Sequence, residues 1–330
     1  MARMLVTGGA GFIGSHLVDA LVEHGDDVVV MDDFSGGFKR NVPPGVALRR
    51  GSVSREQDVV AAFADGPFDV VFHLAAYAAE GLSHHIKRFN YENNLVGSVN
   101  LINAAVNADV GHFVFLSSAA VYGHAAGTLT ELDVPEPIDS YGIAKLAVEA
   151  ELAVTERLFA LPYTIFRPHN VYGTRQNIAD RFRNVIGIFI NQVMHGRPLS
   201  IFGDGHQQRE FSHVADVVPA LLAAPSSRDA RNQCFNIGAD SATSILDLAE
   251  RVLAEFGRPD HPVVHLPARD EVVTIQLSHE KAVRVFDLPA PRTLAEGLAE
   301  MVSWAQTLGP QQPRWDPTIE IPRGLPPSWR

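Results

Sequence analysis

The chain has 330 residues, of which 46% are hydrophobic and 20% are charged, as in a globular protein of one or two domains with a large core. Its formal net charge of −11 argues against a nucleic-acid partner, because phosphate backbones select basic surfaces. The single cysteine excludes an internal disulfide framework and fits a reducing compartment. No apolar run is long enough to cross a bilayer, and the first strand begins too early to leave room for a signal peptide. We therefore expect a cytoplasmic protein without membrane contact.

Short β-branched runs alternate with helical patterns in the first half of the chain. The strand candidates are residues 3–7, 27–31, 47–50, 69–74, 112–117 and 163–167. The clearest helical patterns are residues 13–24, 93–108 and 141–159. This alternation predicts an α/β fold with a Rossmann-type, doubly wound parallel sheet, whose ligand lies at the carboxyl ends of the strands.

The regular alternation ends near Pro168. Turn signals and isolated helical patterns follow, at residues 184–195, 245–256 and 294–308, and the tail 310–330, rich in Pro and Trp, predicts an irregular strap. We therefore predict two lobes, residues 1–168 and 169–330, and one strand or helix of the second could return to the first. The second lobe is expected to lie over the strand ends.

Glycines spaced three apart, Gly8, Gly11 and Gly14, join the first strand to the first helix. Glycine permits the tight turn and a close approach of the backbone to a pyrophosphate, which meets free N–H groups at the helix N-terminus. Asp32, 18 positions after Gly14, is placed to bind an adenosine ribose and would repel a 2′-phosphate, so NAD is favoured over NADP. Asp33 competes for this role. An ordinary glycine-rich turn is the alternative.

Tyr141 and Lys145 lie four residues apart at the start of a predicted helix, so their side chains share one face. Tyrosine titrates near pH 10, and a neighbouring ammonium group is expected to lower its pKa toward neutrality. Ser118, at the end of the preceding strand, is placed to bind a substrate oxygen, whereas strand alternation turns Ser117 away. By itself, a Tyr-x-x-x-Lys pair usually lies on a helix surface and has no catalytic role. The position of this pair, after the strand that ends at Ser118, indicates catalysis.

Together these motifs resemble the extended short-chain dehydrogenases/reductases of the nucleotide-sugar epimerase/dehydratase type. The matching segments are residues 7–14 (TGGAGFIG), 73–76 (HLAA), 117–123 (SSAAVYG), 141–145 (YGIAK), 167–173 (RPHNVYG), 203–205 (GDG) and 209–211 (REF). The resemblance spans roughly residues 3–305 and implies an enzyme that binds NAD and a nucleotide sugar, with a UDP-sugar favoured.

The resemblance also implies site residues. Those expected to bind the cofactor are Gly8, Gly11, Phe12, Ile13, Gly14, Asp32, Asp33, Ser35, Gly36, Ser52, Val53, Leu74, Ala75, Ala76, Asn93, Ser117, Tyr141, Lys145, Pro168 and His169. Those expected to bind the substrate are Ala78, Ser118, Tyr141, Asn170, Ser200, Phe202, Arg209 and Arg269. Two positions depart from the family pattern: Ser52 replaces an aspartate common among relatives, and Asp270-Glu271 replaces the usual Gly-Asp after Arg269.

The residues after Ser118 distinguish among the reactions of this family. Dehydratases and decarboxylases place an acid there, and 3,5-epimerases a cysteine, but this chain has Ala119 and Ala120. What remains is Ser118, Tyr141 and Lys145 as the catalytic set, which implies a 4-epimerase: C4 is oxidised by tightly bound NAD, and the hydride returns to the opposite face of the 4-keto sugar. UDP-glucose/UDP-galactose and UDP-hexuronates are the favoured substrates. The alternatives are another NAD-dependent enzyme of nucleotide sugars (a 3,5-epimerase or an oxidoreductase) and a non-catalytic NAD sensor.

Three further expectations concern charge, metal and assembly. The loop after residue 173 carries three arginines that either bind a carboxylate or phosphate or are simply exposed to solvent: Arg175, Arg181 and Arg183. The 14 histidines form no cluster with ligand spacing, so no metal site is predicted. The family resemblance implies a homodimer through helices 93–108 and 141–159. We expect Ala147, Val148 and Ala150 to be exposed there, although a buried core would carry the same residues.

Overall fold

A computed structural model describes residues 1–124, 127–268 and 276–329. Its strands are β1 (Arg3–Thr7), β2 (Asp27–Asp32), β3 (Ala47–Arg50), β4 (Val70–His73), β5 (His112–Leu116), β6 (Thr128–Leu129), β7 (Tyr163–Pro168), β8 (Val171–Tyr172), β9 (Leu199–Phe202), β10 (Gln208–Glu210), β11 (Ser212–His213), β12 (Gln233–Ile237), β13 (Ala242–Ser244), β14 (Val263–Leu266) and β15 (Gln276–Leu277). Its α-helices are α1 (Phe12–His24), α2 (Glu56–Phe63), α3 (Glu80–Ser83), α4 (Lys87–Tyr91), α5 (Gly97–Asn107), α6 (Ser140–Phe159), α7 (Val185–Met194), α8 (Val214–Ala223), α9 (Ile245–Glu255), α10 (Glu280–Phe286) and α11 (Leu294–Leu308).

Seven parallel strands form the central sheet, in the order β12-β7-β5-β4-β1-β2-β3. The strand order reverses at β1, which lies between β2 and β4, and the carboxyl ends of strands that diverge at such a point leave a crevice. Helices cover both faces: one buried cluster packs α1 and α8 against the sheet, and another packs α2, α5 and α6 against the opposite face. The predicted doubly wound α/β fold is confirmed.

The six predicted strands match β1, β2, β3, β4, β5 and β7 within about one residue at each end. The seventh strand, β12, comes from the second half of the chain and pairs with β7. The predicted helix 93–108 is instead a π-helical segment (Glu92–Val96) that continues into α5. The division into lobes at residue 168 stays a prediction.

Helix α8 was not predicted from the sequence, and its composition explains why. Its segment is almost uniformly apolar, and such a pattern does not distinguish a helix from a strand. Pro219 also lies in its interior, where a proline disfavours a helix. Burial of Val214, Val217 and Leu221 against the sheet stabilises this helix despite the missing N–H group of the proline. Tertiary packing therefore outweighs local propensity here.

A third buried cluster forms the core of the second lobe, where α7, α9 and α11 pack around β9. The tail beyond α11 has no long helix or strand and runs as an irregular strap, ending in a 3₁₀ turn (Pro327–Trp329). In the described part of the chain, none of the helices combines the length and the apolarity that a membrane span requires.

The exposed face of α6 differs from the predicted one. Val148 is fully buried in the core beneath the sheet, because its position on the helix faces β5 and β7, so the prediction that it is exposed was wrong. Ala150 is exposed and Ala147 is half-buried, as parts of a stripe that also carries Ile143, Val154 and Leu158. Their spacing of three or four residues places them on one helix face.

Candidate active site

The turn between β1 and α1 is built around three glycines. The N–H of Gly11 donates to the carbonyl of Gly8 at 3.0 Å. A Cβ added at Gly14 would come within 2.2 Å of that carbonyl oxygen, and one added at Gly8, whose φ is +72°, within 2.7 Å of the backbone nitrogen of Ala75. Gly11 precedes α1 as its N-cap and has no side chain to cap it, so the first turn presents N–H groups to the cleft. This turn is suited to binding a pyrophosphate.

Asp32 ends β2 directly beside the glycine turn and is buried. Its carboxylate accepts hydrogen bonds from the N–H of Ala10 at 3.0 Å and of Phe34 at 2.8 Å, and burial raises the pKa of the Asp32 carboxyl. Asp33, by contrast, accepts from the N–H of Ser35 in its own turn. Because each carboxylate oxygen has a second lone pair, Asp32 retains acceptor capacity on the cleft wall.

Ser118, Tyr141 and Lys145 meet on one wall of the same cleft, and all three are buried. Ser118 follows β5, where its Oγ accepts from the N–H of Ala120 at 3.1 Å. Tyr141 lies in the first turn of α6, which Asp139 caps by accepting from the N–H of Gly142. One turn later, the Lys145 Nζ donates to the carbonyl of Leu116 at 2.8 Å and lies 5.7 Å from the centroid of the Tyr141 ring.

The electrostatics of this group differ from the expectation. Burial raises the pKa of Tyr141 and the charge of Glu80 raises it further, whereas a hydrogen bond with Ser118 lowers it. Burial also lowers the pKa of Lys145 to about 7. In the folded chain burial therefore outweighs the neighbouring charges, because removal from water disfavours the charged form of both groups. The lowering of the Tyr141 pKa by Lys145 stays a prediction.

The cleft has a volume of about 1530 Å³ and gathers nearly all predicted site residues. On its wall lie Gly8, Gly11, Phe12, Ile13, Gly14, Asp32, Asp33, Ser35, Gly36, Val53, Leu74, Ala75, Ala76, Ala78, Asn93, Ser117, Ser118, Tyr141, Lys145, Pro168, His169, Asn170, Ser200, Phe202 and Arg209. Ser52 is not on this wall; its Oγ is 2.9 Å from that of Ser54. Arg269 lies outside the described residues.

The three arginines of the loop after β8 are all paired within the protein. Arg175 forms an ion pair with Asp19 of α1, which holds the loop against the first lobe. Arg181 pairs with Asp316 of the tail at 3.0 Å, and Arg183 pairs with Asp180 at 2.7 Å. The Arg183 guanidinium also lies over the ring of Tyr77, 4.6 Å from its centroid. Arg181 and Arg183 line the cleft, whereas Arg175 does not.

The C-terminal strap supplies cleft residues that the sequence did not predict. Leu325 and Trp329 line the cleft, and Trp315 packs against the rings of Tyr77 and Phe89, with centroids 5.9 and 5.4 Å apart. The Glu320 carboxylate accepts from the first N–H groups of α4. The strap was predicted as a packed segment, but no local pattern indicates the surface on which it packs. Glu80 also lines the cleft; it belongs to the segment 77–88, which departs from the usual sequence of 4-epimerases and was expected to line the sugar pocket.

A parallel sheet with a glycine turn after its first strand, and a Ser-Tyr-Lys group across the cleft, defines a dinucleotide-dependent enzyme of the short-chain dehydrogenase/reductase type. The chain belongs to the NAD dependent epimerase/dehydratase family, whose sequence model matches residues 4–238. The recognition from sequence motifs is thereby confirmed.

Relatives cover almost the whole chain. The UDP-glucose 4-epimerase of Mycolicibacterium smegmatis is 34% identical over 92% of this chain and 98% of its own length. The crystal structure of a UDP-glucose 4-epimerase with UDP-glucose from Thermotoga maritima is 34% identical, with a TM-score of 0.87 over 93% of this chain and 99% of that chain. A UDP-glucuronic acid 4-epimerase from Bacillus cereus, solved with UDP-glucuronic acid and NAD, is 27% identical, with a TM-score of 0.84 over 93% of this chain and 99% of that chain.

Proposed function

We propose that the protein is an NAD-dependent nucleotide-sugar 4-epimerase. One observation carries this proposal: Ser118, Tyr141 and Lys145 meet on the wall of the cleft that contains the glycine turn, and the positions after Ser118 hold Ala119 and Ala120 rather than an acid. The chemistry that NAD supplies when bound is the acceptance and return of a hydride at the sugar C4. The family relationship and the named activities of the relatives support the same reaction.

The residues of the cleft fit the cofactor. Gly8, Gly11 and Gly14 leave the space and the N–H groups that a pyrophosphate needs, and Asp32 offers acceptors to the ribose hydroxyls. A 2′-phosphate would meet the charge of Asp32, which favours NAD over NADP. Asn93 and Pro168 line the nicotinamide end of the cleft in this assignment.

Tyr141 would take the proton of the 4-hydroxyl group while Ser118 holds the same oxygen through a hydrogen bond. Because burial favours the protonated form of Tyr141, a positive charge is needed to favour the phenolate. Two cations of the chain would serve: Arg183, whose charge lowers the pKa of Tyr141, and Lys145 in its protonated form, one helical turn away. The role of Lys145 in this proposal is electrostatic and positioning: its ammonium is anchored on the carbonyl of Leu116.

The substrate class follows from the second lobe. Asn170, Ser200, Phe202 and Arg209 lie together on the cleft wall and would hold the nucleotide diphosphate, for which a guanidinium is well suited. UDP-glucose and UDP-glucuronic acid bind to the solved relatives, so a UDP-sugar is the favoured ligand. Glu80 acts electrostatically on Tyr141 from the same cleft, and its charge would oppose a sugar carboxylate. We therefore favour a neutral hexose over a hexuronate.

The test is a panel of UDP-, GDP-, CDP- and dTDP-sugars, with separation of the C4 epimers. Wild-type protein should interconvert UDP-glucose and UDP-galactose without net consumption of NAD. Tyr141→Phe should lower kcat by a factor of about 100 or more, as loss of a general acid–base does, and retain bound NAD. Tyr163→Phe, at the start of β7 and remote from the cleft, is the matched control and should match the wild type.

The other outcomes select the alternatives. Equal turnover by Tyr141→Phe and wild type would refute the assignment of the base. Net reduction of added NAD would indicate an oxidoreductase, and inversion at C3 and C5 a 3,5-epimerase. Retained NAD without turnover on any sugar would support the non-catalytic NAD sensor.

We further propose that the protein acts as a homodimer through α5 and α6. The support is the exposed apolar stripe of α6, together with Val96, which is 47% exposed just before α5. An apolar stripe of this kind is a common feature of helix–helix interfaces.

We also propose that the protein acts in the cytoplasm, where NAD and nucleotide sugars would both be available.

A further inference from the structure

Three buried side chains from distant parts of the chain meet beside the end of β7. They are His169, Glu210 at the end of β10, and His279 just before α10, and we refer to them as the histidine–glutamate cluster. The Nε2 atoms of the two histidines are 3.1 Å apart, and the Oε2 atom of Glu210 is 3.4 Å from Nε2 of His169. The side chains are only 2–3% exposed. His169 also lines the cleft, where it is expected to contact the cofactor, but Glu210 and His279 do not line it and have no part in the proposed catalytic steps.

The outer hydrogen bonds of the cluster determine where the imidazole protons lie. Nδ1 of His169 is 2.9 Å from the backbone carbonyl of Glu210, and Nδ1 of His279 is 2.5 Å from Oδ1 of Asp240. Both partners are acceptors, so each Nδ1 must carry a proton and donate it. A neutral imidazole has one N–H group, so each Nε2 then presents a lone pair. The two lone pairs face each other at 3.1 Å.

Two lone pairs this close in a buried site repel each other unless one cation binds both. A proton shared by the two Nε2 atoms would meet the same geometry, with the carboxylates of Asp240 and Glu210 beside it, and metal titration distinguishes the two occupants. A metal ion uses both lone pairs and adds the Glu210 oxygen as a third donor. Around a tetrahedral Zn²⁺, two nitrogens at about 2.0–2.1 Å from the metal lie roughly 3.3 Å apart, close to the observed separation.

We propose that the histidine–glutamate cluster binds one divalent transition-metal ion, Zn²⁺ in preference to Mg²⁺ or Ca²⁺. Two imidazoles and one carboxylate suit Zn²⁺, whereas the alkaline-earth ions select oxygen donors. The outermost donor atoms lie within 4.8 Å of one another, so a small rotation of Glu210 completes the set. Asp240 orients His279, as outer carboxylates do at many zinc sites.

The backbone around the cluster leaves room for little else. Gly238, in the turn after β12, approaches so closely that an added Cβ would lie 2.6 Å from Nε2 of His169 and 2.2 Å from Oγ of Ser212. The N–H of Leu277 donates to Oε2 of Glu210 at 3.2 Å and holds the carboxylate toward the histidines. A bound ion would therefore join β7, β10 and the segment before α10, and stabilise the contact between the sheet and the second lobe.

The experiment uses full-length protein without a polyhistidine tag, freed of metal with a chelator. Titration with Co²⁺ should produce visible d–d bands of a tetrahedral site, saturating at one equivalent, and Zn²⁺ should abolish them. His279→Gln and Glu210→Gln should each remove the bands. His265→Gln changes an exposed histidine outside the cluster and is the matched control, which should bind as the wild type does.

A second variant covers the case in which the first two do not fold. Asp240→Asn alters a side chain that is 68% exposed and should fold normally, yet bind Co²⁺ roughly tenfold more weakly, as expected for an outer ligand. Zn²⁺ should also raise the Tm of metal-free wild type but leave that of His279→Gln unchanged. No stoichiometric Co²⁺ binding by the wild type would mean that a proton bridges the histidines and would overturn the proposal. Unchanged binding by folded His279→Gln would overturn it as well.

Discussion

At the scale of single residues, burial shifts the pKa values of Tyr141 and Lys145, the two ionisable groups of the proposed catalytic set. The sequence places an ammonium one helical turn from a phenol, and the attraction between opposite charges then predicts a more acidic Tyr141. In the folded chain both groups are buried, and burial raises the pKa of Tyr141 and lowers the pKa of Lys145 to about 7. Burial therefore favours the protonated form of Tyr141. The same low-polarity environment strengthens the effect of a nearby positive charge, which would favour the phenolate.

The lowered pKa of Lys145 predicts a specific dependence of stability on pH in protein stripped of dinucleotide. Between about pH 7 and pH 10 Lys145 retains a proton in the unfolded chain that it has lost in the folded chain, so the contribution of Lys145 to the free energy of unfolding should rise with pH. Lys145→Met should reduce this slope by up to about 1.4 kcal/mol per pH unit. Urea unfolding at several pH values measures it, and Lys39→Met, which removes the ammonium group of an exposed lysine, should leave the slope unchanged. Equal slopes for Lys145→Met and wild type would contradict a deprotonated Lys145.

At the scale of elements, the glycine turn is the part whose geometry the sequence specifies most completely. Strand, turn and helix are contiguous in the chain, so local spacing alone predicts β1, the cofactor turn and α1. Local spacing does not predict the backbone around residue 93 as well. Its pattern predicts a regular α-helix, whereas Glu92–Val96 is π-helical. Asn94 there bonds both the N–H and the carbonyl of Tyr77, a non-local pairing that periodicity does not reveal.

Gly14→Ala should disrupt the cofactor turn, since the new Cβ would overlap the carbonyl oxygen of Gly8. We expect a loss of about 1–3 kcal/mol in the free energy of unfolding, as for other overpacked sites, and dinucleotide affinity at least tenfold weaker. Thermal unfolding and isothermal titration with NAD measure the two effects. Gly187→Ala in α7 is the control: its nearest neighbour would be 3.5 Å away, and the helix should gain about 0.5–1 kcal/mol. Equal NAD affinity for Gly14→Ala and wild type would show that the turn does not bind the pyrophosphate.

At the scale of the whole molecule, segments that are remote in sequence close the cleft. The strap carries Trp315 to Tyr77 and Phe89, and the Arg314 side chain donates to the carbonyl of Gly37 near the glycine turn. These contacts link the second lobe to the loops of the first. The outer face of α6 remains apolar, with Leu158 61% exposed, in agreement with the proposed dimer.

Val154→Asp should dissociate the dimer, because it places a charge in the middle of the proposed interface. Light scattering coupled to size-exclusion chromatography should then report half the mass of the wild type at micromolar concentration. Val60→Asp, on the surface of α2, changes an even more exposed helical valine away from that stripe and should leave the mass unaltered. A monomeric wild type, or a dimeric Val154→Asp, would argue against this interface.

The sequence by itself predicted the glycine turn, because its strand, turn and helix are contiguous, and it predicted the parallel sheet from the alternation of short strands and helices along the chain. It also proposed the Ser-Tyr-Lys set, from the four-residue spacing of Tyr141 and Lys145 and from the place of Ser118 at the end of the preceding strand. Only the tertiary structure decided the pairing of β12 with β7, the position of the strap and the burial of Val148. It also decided the direction of the pKa changes and the meeting of His169 with His279, which are 110 positions apart. These features depend on which distant surfaces exclude water from one another, and that is a property of the packed chain rather than of any local pattern.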